Sequence, residues 1–486
     1  KSDLIALSEA TTVKHQRFEG MYFEMTNDID LEHDPAFLGI SADESNAAAS
    51  ISFQGIFDGK GHTVDNMDFT NLLVWSKDPT ATAFGTLNAS SCRAIKGLFG
   101  RLGETGVVKN VNIGAGSKLI FYAQSAAVVG YNNGLVENCR NYADVVGYSC
   151  WIGGIVGHTT KTSVIKDCYN AGNITTGYAQ AGGIVGQTNG YVYNCVNTGD
   201  IRAIQLATNF ATQLQRAGGI AGGLGGALVE NCVNYGTVWA QLKNAGGISG
   251  AIEGTSNAGV AMDVVTKSIN LGNVYCGDKA TLGAVGGLGL APYADTCYYD
   301  IQTIGLPGSG NSVVAGIHGV TTAELTSGTA LEGFSTDLWD FTKGMYPTLK
   351  QFAAEPKVVA ARQLLLDMPA DYTVADFLTE ATVSGAKSIS LAAGTAFKVE
   401  GNKVIGPKSV ETLVTDTLYL VNNADVVRPI LLTARPAVPL EGKGTAEVPY
   451  LIKTAADWVA LANYMSSVGD NLLDLTLIHL SEPTRR

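Results

Sequence analysis

A short block of small and apolar residues closed by glycine recurs along the middle of the chain. It reads Gly97-Leu98-Phe99-Gly100, Ala127-Val128-Val129-Gly130, Gly154-Ile155-Val156-Gly157, Gly183-Ile184-Val185-Gly186, Gly219-Ile220-Ala221-Gly222 and Gly247-Ile248-Ser249-Gly250, with a looser Gly287-Leu288-Gly289. The closing glycines are 30, 27, 29, 36 and 28 residues apart, and an insertion around Gln205–Gln215 accounts for the 36. A unit this short cannot bury its own apolar face, so copies must stack and share a continuous core. A propeller blade needs about 40 residues and four strands and fits the period less well.

A second apolar stretch follows each block: Leu135-Val136-Glu137-Asn138-Cys139-Arg140-Asn141, Val164-Ile165-Lys166-Asp167-Cys168-Tyr169-Asn170, Tyr191-Val192-Tyr193-Asn194-Cys195-Val196-Asn197 and Leu228-Val229-Glu230-Asn231-Cys232-Val233-Asn234. Turns come next at Gly172-Asn173, Gly199-Asp200, Gly236-Thr237 and Gly272-Asn273, the residue types of a corner with positive φ. Each repeat therefore holds two or three short strands and no helix. The fold class is all-β: a right-handed parallel β-helix, with core repeats at about 96–300, followed by a small antiparallel β-sandwich.

Cys139, Cys168, Cys195 and Cys232 share one repeat position, where Val111 and Ser268 also stand. That interchange predicts a small inward side chain rather than a metal ligand or nucleophile, and adjacent-rung disulfides are compatible but not required. Asn141, Asn170, Asn197, Asn234 and Asn270 are predicted to form an amide ladder along the stack.

These blocks resemble the GLUG-motif family of bacterial surface, adhesin-like proteins, and are similar to the β-helical region of immunoglobulin-A-cleaving metallopeptidases. The resemblance covers about Ser2 to Lys350. It implies an extracellular or cell-surface setting and a glycan or surface protein as partner. Phe18–Leu31 and Phe53–Val64 resemble the first rungs of such a domain. Asp58-Gly59 with Gly61 reads as a tight corner, with His62 bonded to Asp58 there. Asp28 and Asp30 are expected to hold backbone amides, with a structural calcium ion as the sharper option. The aromatic segments Cys297–Asp300 and Trp339…Leu349 are expected to cap the last rung, placing the cap at 301–350 within a solenoid domain of 1–350.

The texture changes at 355–437, where alternating runs at Val358–Leu366, Ser388–Leu391, Phe397–Val404, Thr412–Leu420 and Val426–Thr433 predict the sandwich. It resembles an immunoglobulin-like module, and a short helix is expected near Val374–Glu380. Asp457-Trp458-Val459-Ala460-Leu461 matches Asp3-Leu4-Ile5-Ala6-Leu7, so 438–476 reads as the start of a second β-helix and the chain as a fragment of a tandem array. Residues 477–486 break the pattern and read as a non-native tail.

The chemistry-bearing motifs are few. A formal charge of -12 argues against nucleic acid as partner, and no apolar run is long enough for membrane insertion. The six histidines form no His-Glu-x-x-His, so the peptidase centre of the related metallopeptidases is not expected here. No catalytic, cofactor or metal residues are assigned. The enzyme alternative is a polysaccharide lyase or hydrolase, which needs clustered carboxylates. Glu137 and Glu230 share one register and Asp144 and Asp200 another, but Lys166, Tyr193 and Asn173 interrupt them. A non-catalytic region of a large surface peptidase is a further alternative. Tyr148, Trp151, Tyr178, Trp239 and Tyr275, placed in the loop before each Gly-rich block, are the candidate ligand contacts, with packing against the solenoid wall as the plainer reading. Phe210 in the insertion is another.

Overall fold

The computed structural model describes the chain except at 43–51, 71–94, 122–123, 149, 178, 205–214, 253–263, 290–293, 305, 311–312, 356, 361–379, 385, 395, 408–409, 413, 422–426, 435–438, 442–450 and 469–486. It divides into two compact units, Lys1–Ala353 and Ala354–Arg486.

The first unit is a parallel β-helix. One rung runs through five short strands, for instance Val164–Lys166, Tyr169–Asn170, Ile174–Thr176, Gln180–Gly182 and Val185–Thr188. Equivalent strands pair in parallel with neighbouring rungs and form five walls, numbered 1 to 5 in that order. Among the described residues they contain nine, ten, six, six and seven strands. The expectation of two or three strands per repeat is thus too low. Four of the five strands have only two or three residues, too short to leave a periodic signal.

The inside is one continuous hydrophobic cluster from Leu4 to Ile317. Near its N-terminal end Phe53, Phe57 and Phe99 fill it, with Phe53 and Phe57 each 5.2 Å from Phe99 between ring centroids. Later rungs use Val, Ile, Ala and Cys. The cysteine row is inward and fully buried, as the interchange with Val111 and Ser268 predicts, and Cys297 continues it. All five of these cysteines are free thiols.

The asparagine row forms the predicted ladder. Asn141 Nδ2 donates to Asn170 Oδ1, Asn170 to Asn197, Asn197 to Asn234 and Asn234 to Asn270, each at 2.8 Å. Asn270 ends the row on the carbonyl of Ala284. The first glycine of each block now has a reason. A Cβ on Gly183 would collide with the Asn197 side chain and the Gly219 carbonyl, and Gly154, Gly219 and Gly247 meet the same ladder.

The corner glycines serve a different purpose from the one expected. Gly172, Gly199, Gly236 and Gly272 do not adopt positive φ. Each instead lies against the corner carbonyl of the preceding rung, where a side chain has no room. Left-handed backbone occurs one corner earlier, at Asn110, Asn138, Asp167, Asn194, Asn231 and Lys267. Asn and Asp tolerate that conformation best. Their side chains also link rungs, as in Asn138 Nδ2 to Asn110 Oδ1 at 2.7 Å and Asn194 Nδ2 to Asp167 Oδ1 at 3.0 Å.

Both ends are closed. At the N-terminal end the helix Ser2–Thr12 places Leu4 in the core, while Ser8 Oγ donates to the Gly39 carbonyl at 2.9 Å and Thr11 Oγ1 accepts from Ser41 N. At the other end Pro307, Gly308 and Gly316 offer carbonyls to the last rung, and Ile317–Val320 pairs with Cys297–Asp300. The aromatic segment expected as a cap does something else. It runs back along wall 2 as a strap. Phe334 meets Tyr298 at 5.5 Å, Trp339 Nε1 donates to Asn231 Oδ1 at 3.3 Å, and Tyr235 OH donates to the Pro347 carbonyl at 2.9 Å. Farther on, Gln351 Nε2 donates to Asp167 Oδ1 at 2.9 Å and Phe352 lies 5.7 Å from Tyr169. The physical reason is the outward row of wall 2, which carries Tyr169, Val196, Val233 and Ile269. Left to solvent, each would forgo roughly 1.5–3 kcal/mol of burial; under the strap all four are fully buried.

In the second unit a four-stranded and a three-stranded antiparallel sheet pack around Val383, Phe397, Val404, Leu418, Leu420, Leu432 and Ala434, the expected sandwich. The run Phe397–Val404 is a hairpin of Lys398–Glu400 with Lys403–Ile405 rather than one strand. The helix expected near Val374–Glu380 falls mostly outside the described residues, and Glu380 itself begins the strand Glu380–Ser384. Asp457 lies in a helix, Ala455–Val468, as its counterpart Asp3 does. No helix among the described residues is long and apolar enough to cross a membrane.

Candidate functional site

The rows that interrupted the acidic registers stand as the sequence places them, and the carboxylates there serve the stack. On wall 1, Glu137, Lys166, Tyr193 and Glu230 follow one another across rungs. Lys166 Nζ pairs with Glu137 and Lys267 Nζ with Glu230, both at 2.7 Å. At the next register Asp144 Oδ1 accepts from Asn173 N, Asn173 Oδ1 from Asp200 N, and Asp200 Oδ1 from Thr237 N. Each oxygen thereby satisfies a corner amide of the following rung.

The N-terminal acids are engaged too. Asp30 Oδ1 accepts from Glu32 N at 2.7 Å, and Asp28 Oδ1 accepts from Thr63 N at 2.9 Å. His62 bonds Asp28 at 3.1 Å, not Asp58 as expected, because the corner turns its ring toward the preceding rung. Burial alone would raise the Asp58 carboxyl. Hydrogen bonds from Asn110, Tyr22 and Lys60 N, with Lys109 nearby, instead hold it well below the usual carboxylate range. Among the described residues no group of three or more His, Cys, Asp or Glu is arranged to hold a metal ion.

The five aromatic candidates separate into distinct places. Trp239 and Tyr275 are not in loops. They occupy the outward centre of wall-3 strands Val238–Ala240 and Val274–Cys276, in register on adjacent rungs. Both are half-buried, and Arg202 precedes them in the same row. Aromatic residues fit this position because β-strands accept them on a half-exposed face. Two such side chains about 4.8 Å apart give a continuous apolar strip flanked by a cation. Tyr148 stands at the end of the strand Val145–Gly147, its N–H on the Phe121 carbonyl at 3.1 Å, and burial raises its phenol. Tyr178 and Phe210 lie outside the described residues.

Trp151 belongs to the seam between walls 4 and 5. Its ring stacks on His158 at 4.5 Å with a 24° tilt, His158 meets Tyr131 at 5.0 Å, and the Arg101 guanidinium sits 4.8 Å over Tyr131. Arg101, Tyr131 and His158 face outward from wall 5, followed by Gln187 and Gly223. Trp151 leads into the strand Ile152–Gly153, in register with Gln180 and then Arg216. His158 is 8% exposed, and burial with the nearby Arg101 charge lowers its pKa to about 4. The imidazole is therefore neutral at physiological pH. Asn189 Nδ2, which donates to the Thr159 carbonyl at 3.1 Å, also faces His158 Nε2 at 3.4 Å, which puts the ring proton on Nδ1.

His158, Tyr131, Arg101 and Arg202 were not singled out from the sequence. The first three share a readable signal: each follows the closing glycine of its block, as Arg101 follows Gly100 and His158 follows Gly157.

No family model matches the chain, and no curated protein matches it in sequence. Among solved structures, the crystal structure of a protein from Bacteroides ovatus, provisionally named an immunoglobulin A1 protease, is similar with a TM-score of 0.44 and 16% identity, covering 69% of this chain and 87% of that one.

Proposed function

We propose that this chain is a non-catalytic, adhesin-like binding element of a bacterial cell-surface or secreted protein of the GLUG-motif kind, taking a glycan or surface protein on wall 3. The observation that carries this reading is the outward pair Trp239 and Tyr275, in register on neighbouring rungs with Arg202 beside them. Aromatic faces in a row match the apolar faces of sugar rings or the side chains of a partner surface, and a flanking arginine adds polar recognition. Glu137, Glu230, Asp144 and Asp200 on walls 1 and 3 are tied to neighbouring rungs, which supports recognition over hydrolysis as the role of this surface.

Screening the full chain against panels of glycans and matrix proteins tests this. Binding that falls at least about tenfold in Trp239→Ala and Tyr275→Ala, with unchanged thermal unfolding, is the expected result. No binding across a broad panel would reduce the protein to a spacer.

A further inference from the structure

The seam between walls 4 and 5 has features that the stack does not require. Trp151 holds φ at +53°, a region costly for a bulky side chain. Three rungs on, the equivalent row position is Asn244, also left-handed at +64° but of a residue type that tolerates it. The strain at Trp151 is met by its stacking on His158. Two deeply buried polar side chains in the seam also have an atom without a partner among the described residues: His158 Nδ1 and Gln180 Oε1, on residues 8% and 4% exposed. Gln180 Oε1 and Arg216 Nη1 lie 2.6 and 3.1 Å from where a Cβ on Gly223 would stand, so both reach across the seam over a rung that lacks a side chain. The outward row from Arg101 to Gly223 and the row from Trp151 to Arg216 contain no acidic residue, whereas wall 1 carries Glu24, Asp58, Glu137 and Glu230 in a single row.

We infer that this seam is a second binding site, for a carboxylate-bearing sugar. Arg101 and Arg216 supply the positive field for the carboxylate, and the half-exposed Trp151 ring, backed by the His158 imidazole, stacks against the sugar face. The site is independent of the Trp239–Tyr275 pair, which lies on another wall and in later rungs.

Affinity electrophoresis of the full chain in gels containing polygalacturonate or neutral dextran tests the inference. Retardation by polygalacturonate, weakened by salt, and none by dextran is expected. Trp151→Asn should lower polygalacturonate affinity about tenfold or more while the far-ultraviolet circular dichroism and the cooperativity of unfolding stay those of wild type, since Asn tolerates the left-handed backbone that Asn244 adopts three rungs on. Arg216→Gln should lower affinity as well. Equal behaviour in the two gels, or wild-type affinity in Trp151→Asn, overturns the site. Trp239→Ala with Tyr275→Ala should retain polygalacturonate binding. If that double variant loses it and Trp151→Asn keeps it, the seam is overturned while the wall-3 reading stands.

Discussion

Asn197 donates through Nδ2 to Asn234 Oδ1 at 2.8 Å, one rung away, while its own Oδ1 accepts the same bond from Asn170. Its amide also holds the Gly199 carbonyl, and the side chain is fully buried. The residue is thus a link in a chain of amides that water cannot replace.

Asn197→Ala breaks that chain in the middle. It leaves the Asn234 oxygen without its donor and removes the acceptor of Asn170. Unmet buried polar groups cost about 1–3 kcal/mol each, so a loss of about 2–4 kcal/mol is expected in denaturant unfolding. A loss below about 1 kcal/mol would mean that the ladder does not close around the missing link as described.

Gly183→Ala tests the contact between the block and the ladder. At a position with room, such a change stabilises by about 0.4–1 kcal/mol through the unfolded chain. Here the added Cβ meets the Asn197 side chain and the Gly219 carbonyl, and backbone cannot yield cheaply. Destabilisation of about 3 kcal/mol or more is expected, visible as a lowered urea midpoint. The sign of the change decides the matter.

The thiol row should be inert in the folded protein. Burial pushes the Cys139 and Cys195 thiols well above the free value and Cys297 to about 12, and all five thiols of the row are fully buried, out of reach of a reagent in solution. Iodoacetamide followed by peptide mass mapping should modify the half-buried Cys150 while Cys139, Cys168, Cys195, Cys232 and Cys297 react only after unfolding. Comparable native labelling of these five and Cys150 would contradict the inward placement.

Acid should weaken the fold through His158. Its folded pKa of about 4 lies below the roughly 6.5 of an unfolded histidine, so the unfolded chain binds the proton first. The stability contribution is present in full above pH 6.5 and is lost as pH falls toward 4, by about 1.5 kcal/mol between pH 6.5 and 5. Urea titrations of wild type and His158→Gln across that range should differ in slope, the variant being flatter. Identical slopes would show that His158 is as accessible to protons folded as unfolded.

The cysteine and asparagine rows were legible because each stands at a fixed offset from a repeated block. A register shared by four or five rungs leaves little freedom about which side chains stack. The five-wall cross-section was not, since strands as short as Tyr169–Asn170 carry no alternation to read. Gly199 could be recognised as special, but composition cannot separate a need for positive φ from a need for closeness, and the structure selects the second. The strap was misplaced because Trp339 and Pro347 announce an apolar contact without naming the surface that receives it. Of the candidate site, Trp151, Trp239 and Tyr275 were visible as aromatics. His158 was not, because its partnership with Trp151 spans the turn between two walls rather than a repeat register.

A plain stack of rungs is a one-dimensional object: each layer knows only its neighbours, and such arrays melt piecemeal from their ends. The strap from Phe334 to Phe352 changes that arithmetic. By gripping Tyr298, Asn231, Asp167 and Tyr169 in turn, it couples layers that never touch one another. The last layer cannot peel away without stripping contacts made several layers earlier. Fraying is thereby converted into an all-or-none event, and the solenoid gains the cooperativity of a globular domain.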